Sequence, residues 1–321
     1  RQEGDYVWVT KTIPGRPTSE VLAEILPESI KALTFDKSMR WGTARMRFAR
    51  PIRWILAAFD GAVVPFTVET VESGLESLGH RFYAPDAFKA TDFDQLVREL
   101  EQRQVQADPA KREATIRSEA AKVASGTPEL PDALVDENVF LTEWPTAIEG
   151  QFKEEFLVLP ESVLRTAMAK HERFFPVAGP NGRLTNRFVS IRNAGQDDTV
   201  RGGNEWVLNA RFNDSKFFYD EDKKSTMDAF LARTERMTFQ EKLGNVRQRA
   251  DRLGSLAASV AEWAGLGAAE QDLARKAGLF AKADLSCGLV SELPSLQGLI
   301  GADYARREGF DPAVCDAIAA H

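Results

Sequence analysis

The amino-acid sequence predicts an α+β protein, mixed up to residue 222 and all-helical over residues 223–321. Runs of β-branched and aromatic residues, which are typical of strands, occur only in the first region. From Gly203 onward alanine, leucine and charged residues dominate, a composition typical of helices. The stretch 220–229 is polar and has few core residues, so we place the domain boundary there. A chain of 321 residues is long enough for two domains with separate cores.

The first region begins with a strand and a helix. Residues 6–13, YVWVTKTI, are aromatic and β-branched and predict a strand. Glycine and proline then interrupt the run, and Thr18 or Ser19 is expected to cap a helix that ends at Ala32. The apolar residues of this helix recur at helical spacing.

A hairpin and further elements follow in order. Asp60-Gly61 lies between two apolar runs and is a strong turn signal, so residues 53–68 are predicted to form a hairpin. Residues 92–124 are polar and predict two helices separated by Pro109. Residues 139–152, VFLTEWPTAIEGQF, predict a second pair of strands.

The middle of the chain combines a helix, a tight loop and a hairpin. Pro160 suits the first turn of a helix that is predicted to end near Arg173. Residues 174–177 and 187–192 are predicted to pair across a loop that contains glycine and asparagine, which accept positive φ.

Composition excludes several classes of protein. The chain has 43% hydrophobic and 28% charged residues and a net charge of −7, which argues against a basic coat over the whole surface. The two cysteines, Cys287 and Cys315, indicate a reducing compartment rather than a disulfide framework. No apolar run approaches the length of a membrane span and no signal peptide opens the chain, so a cytoplasmic location is expected.

The segment 31–53 carries the strongest local charge bias. Seven Lys and Arg residues stand there against a single acid, Asp36, with aromatic residues interleaved. Basic groups neutralise phosphates and aromatic planes stack on bases, so the pattern is typical of a surface for single-stranded RNA or an RNA end. The sequence leaves an alternative open, in which the segment is a solvated strand with its arginines in ion pairs and its aromatic side chains in a core.

A weaker basic group lies at the end of the predicted central helix. It contains Lys170, His171 and Arg173, followed by Phe174-Phe175. His171 is interpreted either as a general base or phosphate partner, or as a hydrogen-bonded surface residue. Because neighbouring strand residues face opposite sides, we expect one phenylalanine ring in the core and the other outward.

Motifs that carry complete catalytic chemistry are absent from the sequence. It contains no Walker loop, no dinucleotide fingerprint and no nucleophile elbow, so no catalytic residue is predicted. The three histidines, His80, His171 and His321, are far apart in the sequence, so no metal site is predicted. Asp284 sits amid apolar residues and is interpreted as a buried structural carboxylate that caps or pairs within the helical region.

Long motifs nevertheless recur, in order, along almost the whole chain. They are KSMRWG (37–42), RPIRWILAAFDGAVVPF (50–66), GHRF (79–82), EWPTAIEGQFKEEFLVLP (143–160), KHERFFPV (170–177), RGGNEWVLNARFNDSKFFYDED (201–222), FQEKLG (239–244), AKADL (281–285) and ELPSLQGLIGADYA (292–305). In these motifs the chain resembles the beta subunit of bacterial glycyl-tRNA synthetase.

The resemblance implies a part in a larger enzyme. That enzyme is a heterotetramer of two alpha and two beta chains that joins glycine to its tRNA with ATP and Mg²⁺. The alpha subunit carries the catalytic site and the beta subunit binds tRNA. Residues 1–222 would correspond to a module similar to the editing-type domain of the phenylalanyl-tRNA synthetase beta subunit, and residues 223–321 to a truncated, helical HD-like domain.

Departures from the family pattern limit what the resemblance implies. An active HD domain needs a His-Asp pair, whereas this chain has Ala283-Asp284 at that place. We therefore expect no cofactor or metal to be bound here, with ATP and Mg²⁺ used at the alpha subunit. The family's extreme N-terminal segment and C-terminal anticodon-binding regions are missing, so we expect a fragment that is inactive alone.

The implied function is to position the acceptor region of tRNA(Gly) for glycylation by the alpha subunit. The expected partners are the alpha subunit, tRNA(Gly) and a second beta chain. Two alternatives stay open, an editing-type deacylase that acts on mischarged tRNA and an assembly scaffold for the alpha subunit. The candidate tRNA contacts are Lys37, Arg40, Arg50, Arg53, Arg81, Lys170, His171 and Arg173.

Overall fold

The computed structural model describes residues 2–3, 6–7, 9, 11 and 14–321, and it confirms a mixed α and β architecture. The chain forms two compact units, one that extends to Arg112 and one from Glu113 to His321. This division differs from the domain boundary predicted after residue 222. One hydrophobic cluster of the second unit includes both Phe152 and Ile318, on either side of that boundary. The assignment of residues 1–222 and 223–321 to separate domains stays a prediction.

The first unit is built from short strands and two longer helices. In chain order its elements are β1 Gln2–Glu3, β2 Tyr6–Val7, α1 Thr18–Ala32, β3 Ile55–Leu56, β4 Ala58–Phe59, β5 Ala62–Val63, β6 Thr67–Val68, β7 Val71–Gly74, β8 Glu76–Leu78, β9 Ala87–Lys89 and α2 Phe93–Gln102. Strand β7 lies between β3, which runs parallel to it, and β6, which runs antiparallel. Among the described residues of this unit, the buried apolar side chains are Val64, Val68, Phe88 and Ala90, so its core is small.

Predictions for the first unit are mostly confirmed. Helix α1 ends at Ala32 as predicted, but the cap at Thr18 or Ser19 is wrong, because Pro17 occupies the N-cap and no side chain caps the helix. The hairpin predicted over residues 53–68 is confirmed at its turn, where Asp60 and Gly61 have φ of 50° and 75° between β4 and β5. Its predicted extent is wrong, because β3 and β6 pair with β7 instead of with each other. Residues 8, 10, 12 and 13 of the predicted first strand lie outside the described residues, whereas Tyr6–Val7 forms β2.

The second unit contains a four-stranded antiparallel sheet and many helices. Its elements are α3 Pro109–Val123, which begins in the first unit, β10 Thr127–Pro128, α4 Asp132–Leu141, β11 Thr146–Gln151, α5 Glu161–Thr166, β12 Phe175–Ala178, β13 Leu184–Arg192, α6 Asp197–Asp222, α7 Met227–Arg233, β14 Thr238–Gln240, β15 Gly244–Asn245, α8 Val246–Trp263, α9 Ala268–Phe280, α10 Gly288–Glu292, α11 Leu299–Arg307 and α12 Pro312–Ala320. The strand order of the sheet is β10-β12-β13-β11.

Helices cover this sheet on both faces. Ile116 of α3 and Val135 of α4 pack with Val189 of β13 on one face. Phe188, the preceding residue of β13, packs with Phe212 of α6 on the other face. Strand residues are therefore buried on both sides, as all four residues of β12 and the middle of β13 show.

The strand pair predicted over residues 139–152 is half wrong. The second part forms β11, but the first part belongs to α4, whose buried residues include Leu134, Val135 and Val139. These positions lie on one face of a helix, and burial of that face against the sheet outweighs the strand preference of the run that begins at Val139.

The central helix begins after Pro160 as predicted, and its last turn is π-helical instead of α-helical. Helix α5 is followed directly by a π-helical turn, Ala167–Glu172, and Arg173 closes it with a left-handed φ of 59°. The hairpin of β12 and β13 is confirmed. The predicted outward phenylalanine is wrong: Phe174 belongs to one buried cluster and Phe175 to the other, because both faces of the sheet are covered.

The remainder of the chain is helical except for one small hairpin. Helix α8 packs lengthwise against α9, and helix α12 also contacts α9. The exception to the all-helical prediction is the ladder of β14 and β15, which closes through a turn with φ of +85° at Gly244. Among the described residues, no helix is both long and apolar enough to cross a membrane.

Candidate nucleic-acid interface

The basic segment of the first unit is an ordered loop, which we call the basic loop, residues 33–54. Hydrogen bonds tie its two halves together, from the Met39 N–H to the Phe48 oxygen at 2.9 Å and from the Phe48 N–H to the Met39 oxygen at 3.1 Å. The rings of Phe35 and Phe48 meet edge to face, with centroids 4.7 Å apart. This bridge brings the neighbours of Met39 and Phe48 side by side, among them Arg40.

An acid outside the loop fixes its backbone. The Glu69 carboxylate accepts hydrogen bonds from the N–H groups of Arg45, at 3.1 Å, and Met46, at 2.8 Å. These bonds stabilise the ionised form and lower the pKa of Glu69 below its usual value. Glu69 itself has a φ of 56°, in the turn between β6 and β7. Sequence reasoning missed this residue because its partners lie more than twenty residues away.

Several cations of the basic loop point to solvent. Lys37, Arg40 and Arg53 are exposed, and within the described part of the chain no ion pair includes a residue of this loop. Arg47 donates to the hydroxyl and carbonyl oxygens of Ser38, and Arg50 donates to the neighbouring carbonyl oxygen. Of the segment 31–53, Lys31 forms an ion pair, with Glu28 at 2.9 Å, whereas the arginines of the loop form none within the described residues.

Aromatic side chains of the same loop are only partly covered. Trp54 is 45% exposed and Phe35 is 36% exposed, while Trp41 and Phe48 are half-buried. Exposed aromatic planes can stack on bases, and the cations beside them can contact phosphates. The loop thus has the side chains that a splayed RNA strand requires.

Arg81 lies on a separate tight turn of the first unit. Gly79 allows the turn, because an added Cβ would lie 2.4 Å from the Ala84 oxygen and 2.5 Å from Cβ of Arg103. His80 is buried, and its Nδ1 accepts a hydrogen bond from the Phe82 N–H at 3.2 Å. Arg81 and Phe82 project outward, and Phe82 is 71% exposed.

This turn adds one residue that sequence reasoning missed. Phe82 directly follows Arg81 in the GHRF motif, so a cation next to an aromatic residue was a visible signal. His80 anchors the turn from beneath, with its ring stacked on Tyr83 at a centroid distance of 4.6 Å. Within the described residues, no hydrogen bond or ion pair joins Arg81 to the basic loop.

The π-helical turn of the second unit presents Lys170 and His171, which are both exposed. Arg173 has an internal role, since its Nη1 donates to the carbonyl oxygens of Lys170, at 2.5 Å, and His171, at 3.1 Å. Its Nε donates to Glu137 at 2.9 Å. Arg173 therefore closes the turn and holds its two neighbours at the surface, and its contact with tRNA stays a prediction.

His171 lies among groups of both charges. Burial lowers its pKa, and Arg211 lowers it further, although the nearby Glu172 acts in the opposite direction. Arg211 is itself held by Glu172, with an Nε–Oε1 distance of 2.9 Å. A lowered pKa keeps His171 neutral near pH 7, so it offers a hydrogen bond rather than a charge to a phosphate.

The structure thus distributes the predicted residues over three places. Lys37, Arg40, Arg50 and Arg53 share the basic loop, and Arg81 lies on its own turn of the same unit. The other predicted contacts, Lys170, His171 and Arg173, occupy the π-helical turn of the second unit. Among the described residues, no group of three His, Cys, Asp or Glu side chains has the arrangement of a metal site.

Asp284 is structural, as the sequence interpretation held. It is fully buried, and its Oδ2 accepts from the N–H groups of Gly298, at 2.6 Å, and Gly301, at 3.1 Å, around the start of α11. Burial raises its pKa, against the lowering effect of those two bonds. Its other oxygen, Oδ1, is buried without a hydrogen-bond partner.

Comparison with known proteins places the chain in a family. The family model described as glycyl-tRNA synthetase beta subunit matches residues 1–321. The chain belongs to this family. It is 44% identical over its whole length to the glycine–tRNA ligase beta subunit of Geotalea uraniireducens, and 44% identical over 99% of its length to that of Trichlorobacter lovleyi. In each case it spans 47% of the relative, about half the length of the curated proteins it matches.

Proposed function

We propose that the chain is the tRNA-binding part of a glycine–tRNA ligase beta subunit and that it positions the acceptor region of tRNA(Gly). The observation that carries this proposal is the basic loop, where Lys37, Arg40 and Arg53 are exposed, form no ion pair within the described residues and stand near partly uncovered aromatic rings. Membership of the glycyl-tRNA synthetase beta subunit family supports the choice of RNA.

Chemistry of the reaction belongs, in this proposal, to a partner alpha subunit that uses ATP and Mg²⁺. Two alpha and two beta chains would form the complete ligase in the cytoplasm. Residues 1–222 are proposed to be an editing-type module and residues 223–321 an HD-like domain. Ala283 stands where such a domain needs its histidine, so Asp284 has only its capping role.

Charge reversal in the basic loop tests the proposal. In the complete ligase, the double variant Arg40→Glu and Arg50→Glu should raise KM for tRNA(Gly) at least tenfold, because two attractive groups become repulsive. Glycine-adenylate formation should stay within twofold, since that step does not need the tRNA. Aminoacylation and ATP–pyrophosphate exchange measure the two steps separately.

A matched control distinguishes a local contact from net charge. Arg98→Glu with Arg236→Glu reverses the same number of exposed arginines outside the basic loop. KM for tRNA(Gly) should change little in this control. Equal KM values in the two double variants, or an unchanged KM in both, would reject the basic loop as the tRNA surface.

A further inference from the structure

A large cleft in the second unit is separate from every predicted tRNA contact. Its volume is about 990 Å³. The 3₁₀ turn Glu154–Val158 and the start of α5 form one wall, and the β12–β13 turn forms the opposite rim. Tyr219 of α6 and Asp303 of α11 complete the lining. All of these elements belong to one compact unit, so the cleft is a property of that unit alone.

Asp303 supplies an oriented carboxylate to this cleft. Its Oδ2 accepts from the Tyr219 hydroxyl at 3.0 Å, and the same hydroxyl oxygen accepts from Nη1 of Arg307 at 3.0 Å. Tyr219 is 3% exposed, and burial and the nearby Asp303 raise its pKa to about 12. In the described part of the chain, no group donates to the second oxygen of Asp303, which is thus open to an incoming donor.

The walls of the cleft are aliphatic and partly uncovered. Leu157 is 41% exposed and Val158 is 60% exposed, although both belong to a short turn that is anchored by the buried Phe156. Leu164 and Leu184 line the deeper part. Neighbouring aliphatic side chains with this exposure suit an apolar contact with another molecule.

The opposite rim is preformed. The β12–β13 turn is closed by hydrogen bonds from the Gly179 N–H to the Arg183 oxygen at 2.8 Å and from the Gly182 N–H to the Gly179 oxygen at 2.9 Å. Gly182 has a φ of +73°, which favours glycine there. A rim of this kind loses little entropy when a ligand binds.

The charged residues of the lining indicate what kind of side chain the cleft can bind. Glu161, the other acid of the lining, is already bonded to Arg165 at 2.5 Å and to the Leu184 N–H at 3.4 Å. Arg183, on the β12–β13 rim, also lines the cleft and acts electrostatically on Glu161. The second oxygen of Asp303, on the α11 side, is an acceptor with free capacity beside the aliphatic walls. This acceptor suits a lysine or arginine next to aliphatic side chains.

We propose that the cleft binds a polypeptide segment in which a lysine or arginine stands beside aliphatic residues. The cation would meet Oδ1 of Asp303 and the aliphatic side chains would cover Leu157 and Val158. The segment is assigned to the alpha subunit, an assignment that rests on the proposed function. The basic loop would then serve tRNA and the cleft would serve assembly.

Affinity measurements with a charge-neutral variant test the cleft. In the complete beta chain, Asp303→Asn keeps the shape of the side chain and removes its charge. Isothermal titration with purified alpha subunit should show affinity weakened at least tenfold, whereas affinity for tRNA(Gly) should stay within twofold. Asp214→Asn is the matched control, because Asp214 is an exposed acid of α6 outside the cleft, and it should leave both affinities unchanged.

A photo-crosslinking experiment decides the identity of the occupant independently of stability. Benzoylphenylalanine in place of Arg183 should crosslink to a lysine- or arginine-containing segment of the alpha subunit, identified by mass spectrometry. Crosslinks to tRNA or within the beta chain, or unchanged alpha affinity in a folded Asp303→Asn variant, would overturn the proposal. Loss of tRNA affinity in the basic-loop variants is a separate readout, so the two proposals fail separately.

Discussion

Replacement of Asp284 by alanine should destabilise the second unit strongly. The substitution removes the acceptor of the Gly298 and Gly301 N–H groups, and it does so at a fully buried position. Each buried donor left unpaired costs about 1–3 kcal/mol, so the two together should cost about 2–6 kcal/mol. That is a large part of the roughly 5–15 kcal/mol that stabilises a typical domain.

Asparagine at the same position separates hydrogen bonding from charge. Asp284→Asn retains an oxygen that accepts from both N–H groups, and it removes a carboxylate whose pKa is raised by burial. Because the raised pKa favours the protonated folded state, the contribution of Asp284 is fully present below its unfolded value of about 3.8 and is lost as pH rises through the folded value. The asparagine variant lacks this loss, so its stability relative to the native chain should improve as pH rises.

Urea unfolding at a series of pH values from 4 to 8 measures both effects. The expected result is a large loss for alanine at every pH and a smaller loss for asparagine near pH 7, since asparagine keeps the acceptor but places its amide group where the unpaired Oδ1 lies. If asparagine were as destabilising as alanine across the series, the ionised carboxylate itself would be required. The explanation of its role by hydrogen-bond acceptance alone would then be refuted.

Other substitutions report on single features of the fold and the surface. Gly202→Ala should raise the free energy of unfolding by about 0.5–1 kcal/mol, because Gly202 lies inside α6 with open space around an added Cβ. Thermal unfolding measures this effect, and a lower melting temperature in the variant would contradict it. Arg173→Ala should lower that free energy by about 1–2 kcal/mol through loss of the Glu137 pair and the two carbonyl bonds. A double-mutant cycle with Glu137→Gln should assign less than about 1 kcal/mol to the pair, and a larger value would contradict its exposed position. Arg40→Ala should lessen the salt dependence of tRNA binding by about one unit of log–log slope, and an unchanged slope would mean that Arg40 touches no phosphate.

The sequence correctly predicted the elements that are determined by residues next to each other in the chain. Asp60-Gly61 specifies its turn by backbone conformation alone, and Pro109 marks the start of α3 because proline fits the first helical turn. The strand predicted to begin at Val139 is wrong, because this residue belongs to a helix that covers a sheet, and the strands of that sheet come from distant parts of the sequence. The alternation of buried and exposed residues along a strand likewise could not predict that β12 is buried on both faces, since this burial depends on helices from two other parts of the chain.

The same limit applies to the candidate interface. Residue types predicted where cations gather, but the chemistry of each cation depends on its neighbours in space. Arg40 forms no ion pair with any described residue, whereas Arg173 pairs with Glu137, 36 residues away in sequence. Glu69, which fixes the backbone of the basic loop, stands 24 and 23 residues from its two partners. No local spacing rule connects residues at such distances.

Phe174 and Phe175 link the two hydrophobic clusters of the second unit. Phe174 belongs to the cluster on one face of the sheet and Phe175 to the cluster on the other, and a single peptide bond joins the two residues. Opening of one cluster therefore disturbs the packing of the other. Amide protons of β12 should accordingly exchange with solvent only when the whole unit opens. Lys170 and His171 sit just before this joint, so their position at the surface depends on the integrity of both clusters at once.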